Sequence, residues 1–167
     1  MKIKLKDGTE ILIDDEDYEL VSQYKWHKVK YQTRYYIQTH VYILGKRNTT
    51  LLHRVIMKAK KGQQVDHINH NGFDNRKENL RFCSYKQNQQ NRKQNYGKSP
   101  YKGEAWNSKY NKWKAHIGVD NKQIFLGYFG SEIEAAQEYD KKAEELFGEF
   151  AYLNFRKGND TKRGKSS

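Results

Sequence analysis

Apolar and polar residues alternate at the beginning of the chain. Residues 2–5 and 10–13 each place every second side chain on one face, Ile3 and Leu5 in the first and Ile11 and Ile13 in the second, around the turn pair Asp7-Gly8. A period of two around such a pair predicts an antiparallel hairpin. The acidic run 14–17 suits a helix N-terminus, where carboxylates meet the positive end of the helix dipole. Tyr18, Val21, Tyr24 and Lys25 follow at helical spacing. A β-rich stretch comes next, with Tyr35-Tyr36-Ile37 and then Val41-Tyr42-Ile43-Leu44. Residues 51–57 predict a short helix, with Leu52, Val55 and Ile56 on one face.

Residues 62–99 are polar and rich in Asn and Gln, and aromatic alternation returns after them. Trp113, Ala115, Ile117 and Val119 alternate with Lys114, His116 and Gly118. Ile124 and Leu126 alternate with Gln123, Phe125 and Gly127, and Asp120-Asn121 makes the turn between the two runs. With residues 101–106 this predicts three antiparallel strands, apolar on one face and polar on the other. Ser131 is placed to cap a helix whose Ile133, Ala136, Ala143 and Phe147 share a face. The expected class is therefore α+β. A β-rich N-terminal segment (1–61) leads into a polar strand–loop–strand–helix core (62–95). Residues 96–100, with the only proline, form a linker to a three-stranded sheet packed on one helix (101–155). A basic tail, 156–167, is expected to be disordered.

Composition narrows the partner. Among 167 residues, 32 Lys and Arg face 20 Asp and Glu, a net charge of +12, and 13 Tyr and 3 Trp accompany them. A basic, aromatic surface suits a polyanion, and nucleic acid leads that class. Mean hydropathy is −1.15, so several small units fit better than one large globule. Cys83 is the only cysteine, which excludes an intramolecular disulfide and multi-cysteine zinc sites and fits a reducing cytosol. No apolar run approaches the roughly 18 residues of a membrane span. The expected location is the cytoplasm of a bacterial host, and no protein partner is implied. The charge is uneven: residues 1–61 carry +6, 62–99 carry +4 and 100–167 only +2. In the last segment an acidic helix offsets a basic sheet, so the sheet face is the expected DNA side.

The most informative stretch runs from Val65 to Cys83 and on into the helix after it. A short apolar strand delivers Asp66 and His67, a turn-rich loop follows, and Leu80–Cys83 reads as a second strand. Ser84 and Gln87 form a capping-box pair, which predicts a helix over about 85–95 with Asn88 on its second turn. Such residue types suit phosphodiester hydrolysis. A hard divalent cation takes oxygen ligands such as the Asp66 carboxylate and the Asn88 amide, together with waters and phosphate oxygens. A neutral His67 nearby can accept a proton from the attacking water. Arg92, four residues after Asn88, would share its helix face and could clamp a phosphate. His53, beside apolar residues on a short helix, is expected to be packed or hydrogen-bonded, and Cys83 to be a small buried residue.

This stretch resembles the HNH endonucleases, specifically the phage and intron homing branch. The Asp-His pair is followed by Asn-Leu with its Asn twelve residues after the His, and by a further Asn twenty-one residues after it. Those positions are His67, Asn79 and Asn88. The preceding Leu52-His53-Arg54-Val55 also fits. The resemblance implies that Asp66 and Asn88 hold one divalent cation, Mg²⁺ or Mn²⁺. It implies that His67 is the general base and that Asn79 ties the loop to the strand bearing His67. His70 stands where this branch often has Gly, as a loop residue, a phosphate contact or an extra donor.

The C-terminal segment resembles the plant ethylene-response-factor type of DNA-binding domain. The likeness runs through Tyr101-Lys102-Gly103, Trp113-Lys114-Ala115-His116-Ile117, Leu126-Gly127-Tyr128-Phe129, Glu134 to Asp140 and Leu153-Asn154-Phe155. It implies DNA-facing positions at Lys102, Ala105, Lys114, His116, Gly118, Gln123 and Phe125. Ala105 and Gly118 cannot make bidentate guanine contacts, so a plant target sequence does not transfer. The expected function is a metal-dependent, site-specific endonuclease acting on double-stranded DNA and nicking as a monomer. The alternatives are a DNA-binding regulator with an inactive nuclease fold and an RNA-binding module.

Overall fold

The computed structural model describes residues 1–93 and 99–155. Most of the expected linker and all of the expected tail lie outside the described residues. The chain forms two compact units, Met1–Asn88 and Gln89–Ser167.

In the first unit, β1 (Lys2–Lys4) and β2 (Glu10–Leu12) pair antiparallel, with Ile3 opposite Ile11. The Asp7 carboxylate accepts from Thr9 N at 2.9 Å, and Gly8 takes a φ of +82°. The acidic run forms a 3₁₀ turn, Asp15–Asp17, ahead of α1 (Tyr18–Ser22). This helix is shorter than the spacing of Tyr24 and Lys25 predicts. The Trp26 indole donates to the Val21 carbonyl at 2.8 Å, which turns the chain back after one helical turn. Next comes an antiparallel sheet of β3 (His27–Tyr31), β4 (Arg34–Ile43) and β5 (Lys46–Leu51), with β4 central. The two β-rich runs are thus one ten-residue strand. Then follow α2 (Leu52–Ile56), β6 (Gln64–His67), β7 (Leu80–Cys83) and α3 (Tyr85–Gln90).

One core serves this unit. Ile11, Ile13, Val21, Trp26, Ile37, Leu52, Ile56, Val65 and Leu80 pack together, drawn from both the N-terminal segment and the polar core. The loop between β6 and β7 is sewn onto the first hairpin. Leu12 N donates to the Phe73 carbonyl and Asn75 N to the Leu12 carbonyl, each at 2.8 Å. The acidic run contributes here rather than only to the helix dipole. Asp14 accepts from Lys77 N at 2.7 Å, and the Lys77 ammonium pairs with Glu16 and, at 3.1 Å, with Asp17.

The second unit holds β8 (Glu104–Asn107), β9 (Lys112–Val119) and β10 (Lys122–Phe129) in an antiparallel sheet with β9 central, and α4 (Glu132–Phe147) packed on it. Asp120 and Asn121 both have positive φ in the turn between β9 and β10. Ser131 and Glu134 complete a reciprocal capping box at the start of α4. The helix buries Ala135, Ala136, Tyr139 and Ala143, whereas Ile133 is 50% exposed and does not belong to the core stripe. The small alanines let the helix approach the sheet closely, and at Gly103 there is no room for any side chain. A Cβ there would lie 1.7 Å from the Tyr139 ring. Ile124 is also more open than an alternating core position predicts: it lies opposite the buried Ile117, but on β10, an edge strand of the sheet.

The end of the described chain is fastened by one carboxylate. Asp140 accepts from Asn154 N at 2.8 Å, Asn154 Nδ2 at 2.9 Å and Phe155 N at 2.8 Å. Asn154 in turn accepts from Lys102 N at 2.7 Å and donates to the Lys102 carbonyl at 3.0 Å. Asp140→Ala is expected to destabilise this unit by roughly 2–4 kcal/mol, since three donors to a charged acceptor lose their partner. Urea unfolding followed by Trp fluorescence measures it, and a loss under about 0.5 kcal/mol contradicts the role.

Candidate active site

The Asp-His pair ends β6, opposite β7, with Asp66 facing Arg81 and His67 facing Leu80 in register. Neighbouring strand residues point to opposite faces. Asp66 therefore shares a face with Gln64, and His67 points the other way, into the core beneath α2 and β4. Both are buried.

On the Asp66 face the carboxylate accepts from Arg81 Nη2 at 3.1 Å and Nε at 3.3 Å. Asn88 donates from Nδ2 to the Gln64 Oε1 at 2.9 Å, which sets the helix residue over the strand that carries Asp66. That bond uses the amide nitrogen of Asn88, so its carbonyl oxygen is the atom that could serve a cation. The helix start is as the capping pair predicts: Ser84 N donates to Gln87 Oε1 at 2.7 Å and Gln87 N to Ser84 Oγ at 3.2 Å. The helix itself stops at Gln90. Arg92 lies beyond its end, so the shared helix face expected for Asn88 and Arg92 does not form. Without an apolar stripe, little burial sustains further turns.

On the other face His67 is held from three sides. Its ring meets His53 edge-on at 4.8 Å between centroids, and Tyr36 lies 6.1 Å away. Its Nε2 lies 3.2 Å from Asn75 Oδ1. The tautomer follows from Asn75, which is wholly buried and donates from Nδ2 to the Gly72 carbonyl at 3.2 Å. A carbonyl only accepts, so the amide of Asn75 is oriented, and its oxygen must receive a proton from His67 Nε2. The lone pair is then on Nδ1. Burial holds His67 below the ordinary imidazole range, and the Arg34 guanidinium pushes the same way. The bond to Asn75 and the charges of Asp66 and Asp74 oppose that shift. The result is a neutral imidazole in one tautomer, the form in which a histidine accepts a proton.

Asn79 fastens the loop. Its Oδ1 accepts from Asn69 N at 2.9 Å, its Nδ2 donates to the Asp74 carbonyl at 2.7 Å, and its own carbonyl accepts from Ile68 N at 2.9 Å. Asp74 adds a two-point pair with Arg76, both distances 2.9 Å, and accepts from Asn69 Nδ2 at 3.0 Å. Those donors hold its carboxyl below the usual carboxylate range. His70 has a φ of +62° in this loop. Glycine adopts that conformation without cost, which explains why a glycine fits there. Gly72 passes so close to β4 that a Cβ would sit 2.0 Å from the Tyr35 carbonyl oxygen.

Asn75, Tyr36 and Arg34 were not signalled by the sequence. Asn75 sits in an Asp-Asn-Arg triplet that reads as ordinary polar loop. Arg34 and Tyr36 reach the site only through the pairing of β4. His53 is packed, as its apolar neighbours imply, and it is packed against His67 itself. Cys83 is half-buried, and burial pushes its thiol up.

A family model described as HNH endonuclease matches residues 50–90. An uncharacterized HNH endonuclease of Acanthamoeba polyphaga mimivirus is 35% identical over 153 residues, covering 88% of this chain and 75% of that protein. The chain belongs to the HNH endonuclease family. It is a DNA-cleaving hydrolase. The AP2-like ethylene-responsive transcription factor ANT of Arabidopsis thaliana is 38% identical over 61 residues, which is 35% of this chain and 11% of that protein. No solved structure matches significantly. No helix among the described residues is long and apolar enough to cross a membrane.

In this HNH endonuclease no group of three His, Cys, Asp or Glu residues is placed to hold a metal among the described residues. What the site offers is one carboxylate and one amide oxygen, the sparse hard-oxygen set that Mg²⁺ accepts when water and phosphate complete its shell. The donor chemistry of Asp66 and Asn88 fits such an ion.

In the second unit the pairing puts most of the DNA-facing candidates on one sheet face. Ala105 lies opposite Lys114, Gln123 opposite Gly118 and Phe125 opposite His116. Burial and the neighbouring Lys114 keep His116 below the ordinary imidazole range. Lys102 departs from the set. Its ammonium donates to the carbonyls of Gln90 and Arg92 at 2.8 and 2.7 Å, and lies 5.4 Å from the centre of the Tyr152 ring. It is engaged within the unit rather than presented with the others.

Proposed function

We propose that this HNH endonuclease is a metal-dependent, site-specific enzyme of the homing type with a ββα-metal core, nicking double-stranded DNA as a monomer. The observation that carries the reading is a neutral His67 in one tautomer, next along β6 to the Asp66 carboxylate, over which Asn88 is set by its bond to Gln64. Asp66 and Asn88 would hold that cation through oxygen. When bound, it supplies positive charge to the phosphate oxygens and the leaving 3′ oxygen. His67 Nδ1 accepts the proton of the attacking water, and the Asn75 oxygen keeps the ring from turning. Asn79 holds the loop from which Asn75 acts. Lys114, Gln123, Phe125 and His116 would position the second unit on duplex DNA.

The test is relaxation of supercoiled plasmid with Mg²⁺ and with Mn²⁺, using DNA that contains a mapped cleavage site. One catalytic set predicts that open circles accumulate before linear molecules. Linear product formed first argues against single-strand nicking. Asn88→Ala is expected to raise the Mg²⁺ concentration for half-maximal cutting at least about tenfold. An unchanged Mg²⁺ response removes Asn88 from the ligand set.

A further inference from the structure

The hairpin of β4 and β5 extends beyond the core of the first unit. Thr39 is its last buried residue on β4, and from Tyr42 to Thr49 every described side chain is exposed. Four residues of strand beyond Thr39 reach about 14 Å. Either groove of B-form DNA is only about 8 Å deep.

The tip is unusual. Ile43 pairs with Lys46, so Leu44 and Gly45 alone make the turn, with φ of +51° and +72°. Two positive φ values mark the turn that Asn-Gly or Gly-Gly ordinarily fills. A leucine there strains the backbone, because its Cβ crowds the following carbonyl oxygen. Among the described non-glycine residues with positive φ, Leu44 is the apolar one. It is also 97% exposed, so burial returns nothing for that strain. Tyr42, 74% exposed, lies opposite Arg47 on the same ribbon. A strained, exposed apolar residue is a functional signal rather than a folding one.

Charge names the occupant. From Leu20 to Val65 the chain has ten Lys or Arg and no Asp or Glu. This acid-free run contains the whole β3–β4–β5 sheet. It suits the phosphates of nucleic acid, although Asp7 pairs with Lys28 on β3 at 3.5 Å. Apolar side chains presented between basic ones enter base steps and unstack them.

We propose that the β4–β5 hairpin is a DNA wedge, with Leu44 inserted between stacked base pairs while Lys46 and Arg47 hold the flanking phosphates. The proposal rests on duplex DNA being the substrate. It gives the N-terminal segment a role in deforming the site, separate from the chemistry at His67.

The test uses the full chain in EDTA, so that cutting does not interfere, on relaxed plasmid with a metal-independent topoisomerase. Unstacking by a wedge unwinds the helix and leaves a shift of several topoisomers after the protein is removed. Leu44→Gly and Leu44→Asn suit the positive φ, so both are expected to fold and to melt at or above the temperature of the parent chain. At equal occupancy of the plasmid, measured by gel retardation, each is expected to lose most of the shift. Lys46→Ala with Arg47→Ala is expected to weaken binding at least about tenfold and to flatten its salt dependence. A parent chain that binds without shifting the topoisomers, or glycine and asparagine variants that retain the full shift, overturns the wedge. Failure of the parent chain to bind duplex at any salt concentration overturns instead the duplex substrate itself.

Discussion

His67→Ala is expected to lower cleavage of supercoiled plasmid by about 10²- to 10⁴-fold, the range set by removal of a positioned general base. DNA binding is expected to stay within a few-fold, because Asp66, Asn88 and the basic sheets are untouched. The separation follows from the geometry. His67 is proposed to accept a proton rather than to hold a phosphate, and its polar bond is to Asn75, 3.2 Å away. A variant that loses cutting and binding together shows that His67 holds the fold, not the reaction. The assay is a time course of nicking at saturating Mg²⁺, with retardation in EDTA for binding.

The second large effect is on stability in acid. His53 is buried against His67 and Tyr36. Burial, with the charges of His67 and Arg54, pushes its imidazole down to about 3 from the ordinary 6.5. The unfolded chain therefore takes up a proton below pH 6.5 that the folded chain refuses until about pH 3. Folding is favoured fully above pH 6.5, and that contribution is lost as the pH falls through this window, at up to about 1.4 kcal/mol per pH unit. His67, lowered for the same reason, acts in the same direction. Asp74, held below its usual range by Arg76, adds a loss at lower pH still. His53→Phe keeps an aromatic ring and removes the proton site. Its unfolding free energy, measured by denaturant between pH 6.5 and 4, is expected to fall less steeply than that of the parent. Equal slopes place the acid sensitivity elsewhere.

These two histidines show what could be read along the chain. The spacing of Asp66, His67, Asn79 and Asn88 was visible because strand, loop and helix are consecutive, so the geometry is local. The capping boxes at Ser84 and Ser131 were visible for the same reason. The length of α3 was not, since a helix without an apolar stripe extends only as far as its neighbours support it. Nor was the exposure of Ile133 or Ile124. Periodicity marks one as a helix-face residue and the other as a strand-core residue, but the close alanine contact and the edge position of β10 decide how far each is covered.

Local pattern and composition specify the α+β class, the order of the elements, the basic character and the spacing of Asp66, His67, Asn79 and Asn88. Each depends on residues near one another in the chain or on composition alone. Packing and strand pairing set how those side chains are held. The Asn75 amide fixes the tautomer of His67, His53 and Tyr36 close the pocket around it, and the pairing of β4 brings Arg34 near. Packing also turned Lys102 inward and left Leu44 at an exposed tip. Those outcomes depend on contacts between residues far apart in sequence, formed by packing and strand register, which no local pattern specifies.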